Sequence, residues 1–240
     1  MQVHLYRLNL HIEAPHIAVF FYFYGLKVIS TNIGSPTKFE WKGKTEVTGI
    51  FKRPVEHPVI LETDGVATDT IADRKVHGGI HKACYLFSAE QYPYWQHIYP
   101  QLDWDWGMFG ENLTVGGLDE AEIRIGDIYK IGTAIVQISQ PREPCYKLGI
   151  RFGNQEILRQ FINRGYPGTY VRLLESGKVT TGDTVHLIEP SKNPLTIKQF
   201  YELLFARVKD QRHLQLALQN ASLPECKREK LRRYLKKGAL

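Results

Sequence analysis

The chain has 240 residues, 43% hydrophobic and 23% charged, with three widely spaced cysteines and a formal net charge of +6. This composition excludes a disordered chain, a disulfide scaffold and a zinc ribbon; it fits one large domain, or a medium and a small one, in a reducing, cytoplasmic compartment. Residues 191–240 hold 12 Lys/Arg against 4 Asp/Glu, so the basic character belongs to the C-terminal tail and points there to an acidic protein, a nucleic acid or a membrane surface.

Residues 1–25 contain the apolar run Ile17-Ala18-Val19-Phe20-Phe21-Tyr22-Phe23-Tyr24, which is too short to span a bilayer. Glu13 in a weakly basic flank and the lack of a small-residue cleavage site argue against a signal peptide. The segment reads as an N-terminal extension or, alternatively, as one extra strand. From Leu26 onward, short β-rich runs at 27–33, 59–62 and 83–87 alternate with Gly, Pro and Asp turns. Gly126-Asp127 between the runs 122–125 and 128–131 predicts a tight antiparallel hairpin, extended by 134–139; a further strand at 184–188 follows Gly182-Asp183. One helix is expected over 88–98, with a Ser88/Gln91 capping box and Pro93 in its first turn. Another is expected over 154–163, capped by Asn154, with Ile157, Leu158, Phe161 and Ile162 on one side.

Residues 26–190 therefore read as a mainly β domain with some α, an irregular barrel rather than a sandwich. Residues 190–194 form a proline-bounded linker. Beyond it, Thr196 and Gln199 make a capping box ahead of Ile197, Phe200, Leu204 and Val208 at helical spacing. A second helix carries Leu214, Ala217 and Leu218. A third opens on a Ser222/Glu225 box with Pro224 early in its first turn, and carries Leu231, Tyr234 and Leu235. The three helices, over 195–238, make a small bundle that is marginal alone and is expected to pack on the barrel or on a second copy.

Three clusters can carry chemistry. In Gln140-Pro141-Arg142-Glu143-Pro144-Cys145-Tyr146-Lys147-Leu148, two prolines stiffen the segment after a predicted strand and fix where Cys145 points. Arg142 and Lys147 nearby favour the thiolate, the metal-binding form. A buried structural cysteine is the plain alternative, and it suits Cys84 and Cys226 better. In Lys75-Val76-His77-Gly78-Gly79-Ile80-His81-Lys82-Ala83, paired glycines allow close approach of an anion or a ring. The glycines argue against the helix that would make His77 and His81 joint metal ligands, and spacing alone predicts a polar turn between strands. In Gly107-Met108-Phe109-Gly110-Glu111-Asn112-Leu113, the Asn112 amide can serve a heterocycle edge as donor and acceptor. There is no GxGxxG opening a helix, no Walker loop, no HExxH and no GxSxG.

Taken in order, Lys75-Val76-His77-Gly78-Gly79 with Lys82-Ala83, Gly110-Glu111-Asn112-Leu113, Gly126-Asp127 and Gln140-Pro141-Arg142-Glu143-Pro144-Cys145 resemble the MOSC domain, a family named for the C-terminal part of molybdenum-cofactor sulfurases. Residues 165–183, with Arg172 and Gly182-Asp183, resemble the end of that domain. The opening at 27–55 and the three-helix tail resemble its YiiM-like group. The resemblance covers everything but the first 25 residues.

The resemblance implies a β-rich barrel that docks a molybdopterin-type molybdenum cofactor, with Cys145 as metal ligand and catalytic residue. Arg142 and Lys82 lie inside the matched motifs and, with Lys147 and Arg74 by their chemistry, suit the cofactor phosphate. His77, Gly78 and Asn112 are carried over as pocket residues. The implied reaction is two-electron reduction of an N-hydroxylated small molecule, such as a hydroxylaminopurine-type base analogue. No flavin or iron–sulfur motif is present, so electrons are expected from a separate flavoprotein reductase, for which the basic tail offers a docking face. A homodimer is compatible with this, and no membrane partner is expected. Two other readings stay open. The chain could be a cofactor or sulfur carrier that uses a Cys145 persulfide. It could instead bind nucleic acid through Lys227, Arg228, Lys230, Arg232, Arg233, Lys236 and Lys237, although this run carries no recognition motif and fits a solvated helix face.

Overall fold

The computed structural model describes residues 25–74 and 78–235. The extension up to residue 24, the triplet Lys75, Val76 and His77, and residues 236–240 lie outside the described residues. Thirteen strands are described: β1 (Lys27–Gly34), β2 (Thr37–Trp41), β3 (Lys44–Thr48), β4 (Lys52–Pro54), β5 (Val59–Glu62), β6 (Gly65–Val66), β7 (Cys84–Ser88), β8 (Leu113–Gly116), β9 (Ile128–Ile131), β10 (Ala134–Pro141), β11 (Thr169–Glu175), β12 (Gly177–Val179) and β13 (Val185–Glu189). Among the described residues, six α-helices are labelled here: α1 (Tyr92–Ile98), α2 (Tyr146–Phe152), α3 (Ile157–Arg164), α4 (Ile197–Phe205), α5 (Gln211–Gln219) and α6 (Glu225–Arg232).

Eight strands share one sheet in the order β13-β9-β10-β11-β7-β8-β1-β4. Its ladders are antiparallel except β7 with β8, which run parallel and therefore need a long crossover. That crossover carries α1 and the turn that leads into Asn112. β10 is almost wholly buried between β9 and β11. The ladder does not close on itself, because β13 and β4 end it. A single antiparallel bridge from Lys27 to Thr184, with 2.8 Å hydrogen bonds from Val28 N to Asp183 O and from Val185 N to Leu26 O, brings the start of β1 against the chain entering β13. The expected irregular barrel is thus a sheet curled back on itself with an incomplete seam.

Several local expectations are corrected. The Gly126-Asp127 turn does not join two strands. Gly126 adopts φ 104°, and Asp127 spends its carboxylate on the backbone N–H groups of Arg124 (2.8 Å) and Ser191 (2.7 Å). Arg124 forms an isolated antiparallel bridge with Thr196, and the hairpin forms one turn later, between β9 and β10. Ser88 bonds Glu90 instead of capping α1, and α6 starts after Pro224 with no side-chain cap. Asn154 does accept from Glu156 N, yet α3 begins only at Ile157. Helix α4 has the predicted Thr196/Gln199 capping box but stops at Phe205, leaving Val208 81% exposed.

Leu195, Ile197, Phe200, Leu203, Leu214, Ala217, Leu223 and Leu231 join the same buried cluster as the sheet residues Val136, Ile138 and Val171. The C-terminal helices are therefore seated on the sheet of their own chain. A second core is aromatic. Phe87, Trp95, Phe109 and Phe161 pack under α2, which adds its own Leu148 and Phe152, and the Phe87 and Phe109 rings stack at 4.2 Å. This core gives the segment after Cys145 a rigid floor.

Glu120 joins sheet and helices. Its carbonyl accepts from Lys198 N and its Oε1 from Gly168 N, each at 2.8 Å, while Oε2 is buried without a partner. Burial pushes this carboxyl up to about 7, against the pull of the Gly168 donor. A folded-state value above the unfolded one means that stability falls as pH rises from the ordinary carboxylate range to about 7, then levels off. Glu120→Gln, which mimics the protonated acid, is expected to matter little at pH 4.5 and to stabilise by on the order of 3 kcal/mol at pH 8. Urea unfolding at the two pH values checks this; a pH-independent difference would contradict it.

Candidate functional site

Chain leaving β10 passes Pro141 and Pro144 and turns into α2, with Cys145 as the extended N-cap residue (φ −125°, ψ 167°). The helix was not foreseen from the sequence, which reads here as a proline-stiffened segment. It forms because Leu148 and Phe152 drop into the aromatic core and Gly153, at φ 64°, closes it in a left-handed cap. Tyr146 stacks on Trp41 at 5.0 Å and hydrogen-bonds Glu46, which fastens the β2–β3 hairpin beside Cys145. The thiol of Cys145 is half-buried, whereas Cys84 is buried and Cys226 exposed.

Lys82, Asn112, Arg142, Cys145 and Lys147 all line one cleft of about 630 Å³. Gly78 lies on a neighbouring cleft instead. His77 falls outside the described residues, and Arg74 is taken up in an exposed ion pair with Asp64.

Arg142 is 6% exposed. Its guanidinium carbon lies 5.1 Å from the Tyr85 ring centroid and 5.7 Å from that of Phe161. Nη1 is buried with no hydrogen-bond partner, a costly state for a charged donor unless an anion meets it. Lys82 ends the short 3₁₀ turn Ile80–Lys82 and sits 5.8 Å from the Tyr170 ring. Burial first, then the Lys227 charge, hold its ammonium below the ordinary lysine range, while Glu143, Cys226 and Cys145 act the other way. Lys147 in the first turn of α2 donates to Val47 O at 3.4 Å.

Asn112 does not offer a free amide edge. Its Oδ1 accepts from Tyr85 N (3.3 Å), and its Nδ2 donates to Asp69 Oδ2 (2.9 Å) and Asn32 O (3.4 Å). It braces the wall of the cleft. Two features, one in that wall and one in the turn behind it, went unread in the sequence. One is the buried Lys52–Asp69 ion pair, 7% and 3% exposed, whose carboxylate also accepts from Gly34 N at 2.8 Å. The other is the fully buried carboxylate of Glu111, which receives Tyr92 Oη, Gly107 N, Phe109 N and Thr114 Oγ1 and so closes the turn before Asn112. Burial raises the Glu111 carboxyl, and the Tyr92 hydroxyl opposes that. The only sequence signal was the Gly110-Glu111-Asn112 run itself.

The described residues contain no group of three or more His, Cys, Asp or Glu placed to hold a metal, and no described helix is long and apolar enough to cross a membrane. The site can therefore offer one thiol, one buried guanidinium with an unpartnered Nη1 and two further cations within a single concavity.

Residues 73–186 match the model of the MOSC domain. The Bacillus subtilis (strain 168) protein YflK is 36% identical over 198 residues, covering 82% of this chain and 89% of YflK. A protein named Reductase from Gibberella moniliformis is 36% identical over 148 residues, which are 60% of this chain but 26% of that protein, so the chain spans about a quarter of it. The crystal structure of YiiM from Geobacillus stearothermophilus superposes with a TM-score of 0.73 at 29% identity, covering 88% of this chain and all of that one.

Proposed function

The chain belongs to the MOSC-domain family, in its YiiM-like group, and from that premise we propose that it is a molybdenum-cofactor-dependent reductase of N-hydroxylated compounds, with Cys145 as the protein ligand to the metal. MOSC domains bind the molybdenum cofactor as a family, and the residues of this cleft fit that group. One observation carries the reading: a half-buried cysteine shares a cleft with a buried guanidinium whose Nη1 has no partner. A single soft thiolate suits a metal that brings its other sulfur ligands with it. The orphaned Arg142 donor suits the phosphate that such a cofactor carries.

When bound, the cofactor supplies a metal centre able to pass two electrons to a substrate. The overall change takes an N–OH group, two electrons and two protons to an N–H group and water. The protein's part is to hold and orient. Cys145 Sγ anchors the metal side, Arg142 binds the anionic end, and Lys82 and Lys147 hold protons at Nζ on the cleft wall. The lining of Ile50, Ala83 and Tyr85 limits water. Three cysteines spaced far apart in the chain fit a reducing, cytoplasmic home. Electrons would come from a separate flavoprotein. The relative named Reductase has most of its length outside the matched segment, which agrees with this chain being the part that needs a donor.

Cofactor-loaded protein given a low-potential artificial electron donor is expected to turn a hydroxylaminopurine into the aminopurine, one molecule per two electrons, as read by chromatography. Donor oxidation with no aminopurine formed would overturn the reduction reading.

A further inference from the structure

A second cleft, of about 1,320 Å³, lies beside the Cys145 cleft and shares Lys82 with it. One wall is the turn with His81 and the end of β10 with Gln140; the other is α6 and its C-terminal end, with Lys227, Lys230 and Arg233. Not every cation here is available to a ligand. Lys227 is ion-paired with Glu143, and Lys209 Nζ donates to the carbonyls of Leu203, Leu204 and Ala206 at 2.7–2.9 Å. Lys230 and Arg233 remain as exposed charges on the rim, with Arg233 Nη2 donating to the neutral Tyr234 hydroxyl at 3.2 Å.

Deeper in, Gln140 is 2% exposed. Its Nε2 donates to His81 O at 3.3 Å, which leaves Oε1 buried with no partner, and His81 Nδ1 is likewise buried and unpartnered. The amide oxygen needs a donor, which an oxyanion cannot give. A hydroxyl can serve it and can also serve either tautomer of the imidazole. The cleft thus asks for a ligand with an anion at the rim and hydroxyls inside, continuing into the Cys145 cleft. An acidic protein surface cannot reach groups this deep.

We propose that the second cleft holds the ribose and phosphate of a nucleoside 5′-phosphate, so that the N-hydroxylated base reaching the Cys145 cleft arrives as a nucleotide. This rests on the reading given under Proposed function. Lys230 and Arg233 hold the phosphate, Gln140 and His81 take the sugar hydroxyls, and Arg142 in the first cleft is left for the cofactor phosphate.

Calorimetric titration of the cofactor-loaded protein with adenosine 5′-monophosphate, adenosine and inorganic phosphate tests this. The monophosphate is expected to bind at least about tenfold tighter than either of the others, and more weakly as salt rises. In the double variant Lys230→Ala/Arg233→Ala, which alters two exposed side chains, it should lose at least about tenfold in affinity. Adenosine binding and molybdenum content should stay unchanged. Adenosine or inorganic phosphate binding as tightly as the monophosphate would overturn the proposal, as would an unaltered monophosphate affinity in the variant. Loss of molybdenum from the variant would assign the cleft to the cofactor instead and overturn it too. Turnover separates this proposal from the reading beneath it. If the N-hydroxylated monophosphate binds but is not reduced, the reduction reading falls and the nucleotide cleft stands. If it is reduced with the same KM by wild type and variant, the cleft proposal falls and the reduction reading stands.

Discussion

Cys145→Ser is expected to lower turnover of an N-hydroxylated substrate by at least about a thousandfold, as befits removal of a group on which the chemistry depends. Cys84→Ser and Cys226→Ser are expected to leave it near wild type. The three thiols differ in place. Cys84 is buried in β7 and burial pushes its thiol far up, out of the reactive range, so it behaves as a small apolar side chain. Cys226 is exposed on α6 and is not part of the Cys145 cleft. Cys145 alone lines that cleft with Arg142, Lys82 and Lys147. Serine preserves the volume and the extended N-cap backbone, so the melting temperature should barely move while the soft ligand is lost. Retention of full turnover in Cys145→Ser would contradict the assignment.

Asp69→Ala should give the largest loss of stability, about 3–5 kcal/mol, which for a chain of this size lowers Tm by about 10 °C. The Asp69 carboxylate meets Lys52 Nζ, Gly34 N and Asn112 Nδ2 in one buried knot. Removing it strands the Lys52 ammonium, 7% exposed, without its counter-charge. The rescue test is Lys52→Met in the same chain. Deleting both charges should recover a large part of the loss, because the cost lies in the orphaned charge rather than in the missing attraction. Since Lys52, Asp69 and Asn112 all line the Cys145 cleft, the single variant should also hold cofactor less firmly. A single variant within about 1 kcal/mol of wild type would show that the pair behaves as an exposed one.

These two residues also mark the limit of what the sequence discloses. Strands β1, β5, β7, β9, β10 and β13 lie where short β-rich runs between Gly, Pro and Asp turns place them, and the Thr196/Gln199 box caps α4 because its signal is local. The cluster around Cys145 was legible for the same reason, through prolines and cations within a few residues of the thiol. Lys52 and Asp69 stand 17 residues apart on separate segments, and nothing in either segment's pattern announces a partner. Asn112 was singled out as a ring-edge donor, yet tertiary contacts to Tyr85, Asp69 and Asn32 consume its amide. Helix α2 was missed because its stability comes from the aromatic floor and not from capping or propensity. Gly126-Asp127 misled because the same dipeptide that makes a hairpin turn also lets the aspartate accept from the nearby Arg124 N–H and the distant Ser191 N–H.

We propose that the Cys145 cleft holds a molybdenum–pterin group through one protein sulfur. The most direct test is the molybdenum and pterin content of protein produced with molybdenum in excess, for wild type and Cys145→Ser side by side. Close to one molybdenum and one pterin per chain are expected in the wild type, with a large loss of molybdenum in the variant. Little molybdenum in the wild type, with sulfane sulfur on Cys145 instead, would contradict the proposal and make the chain a sulfur carrier.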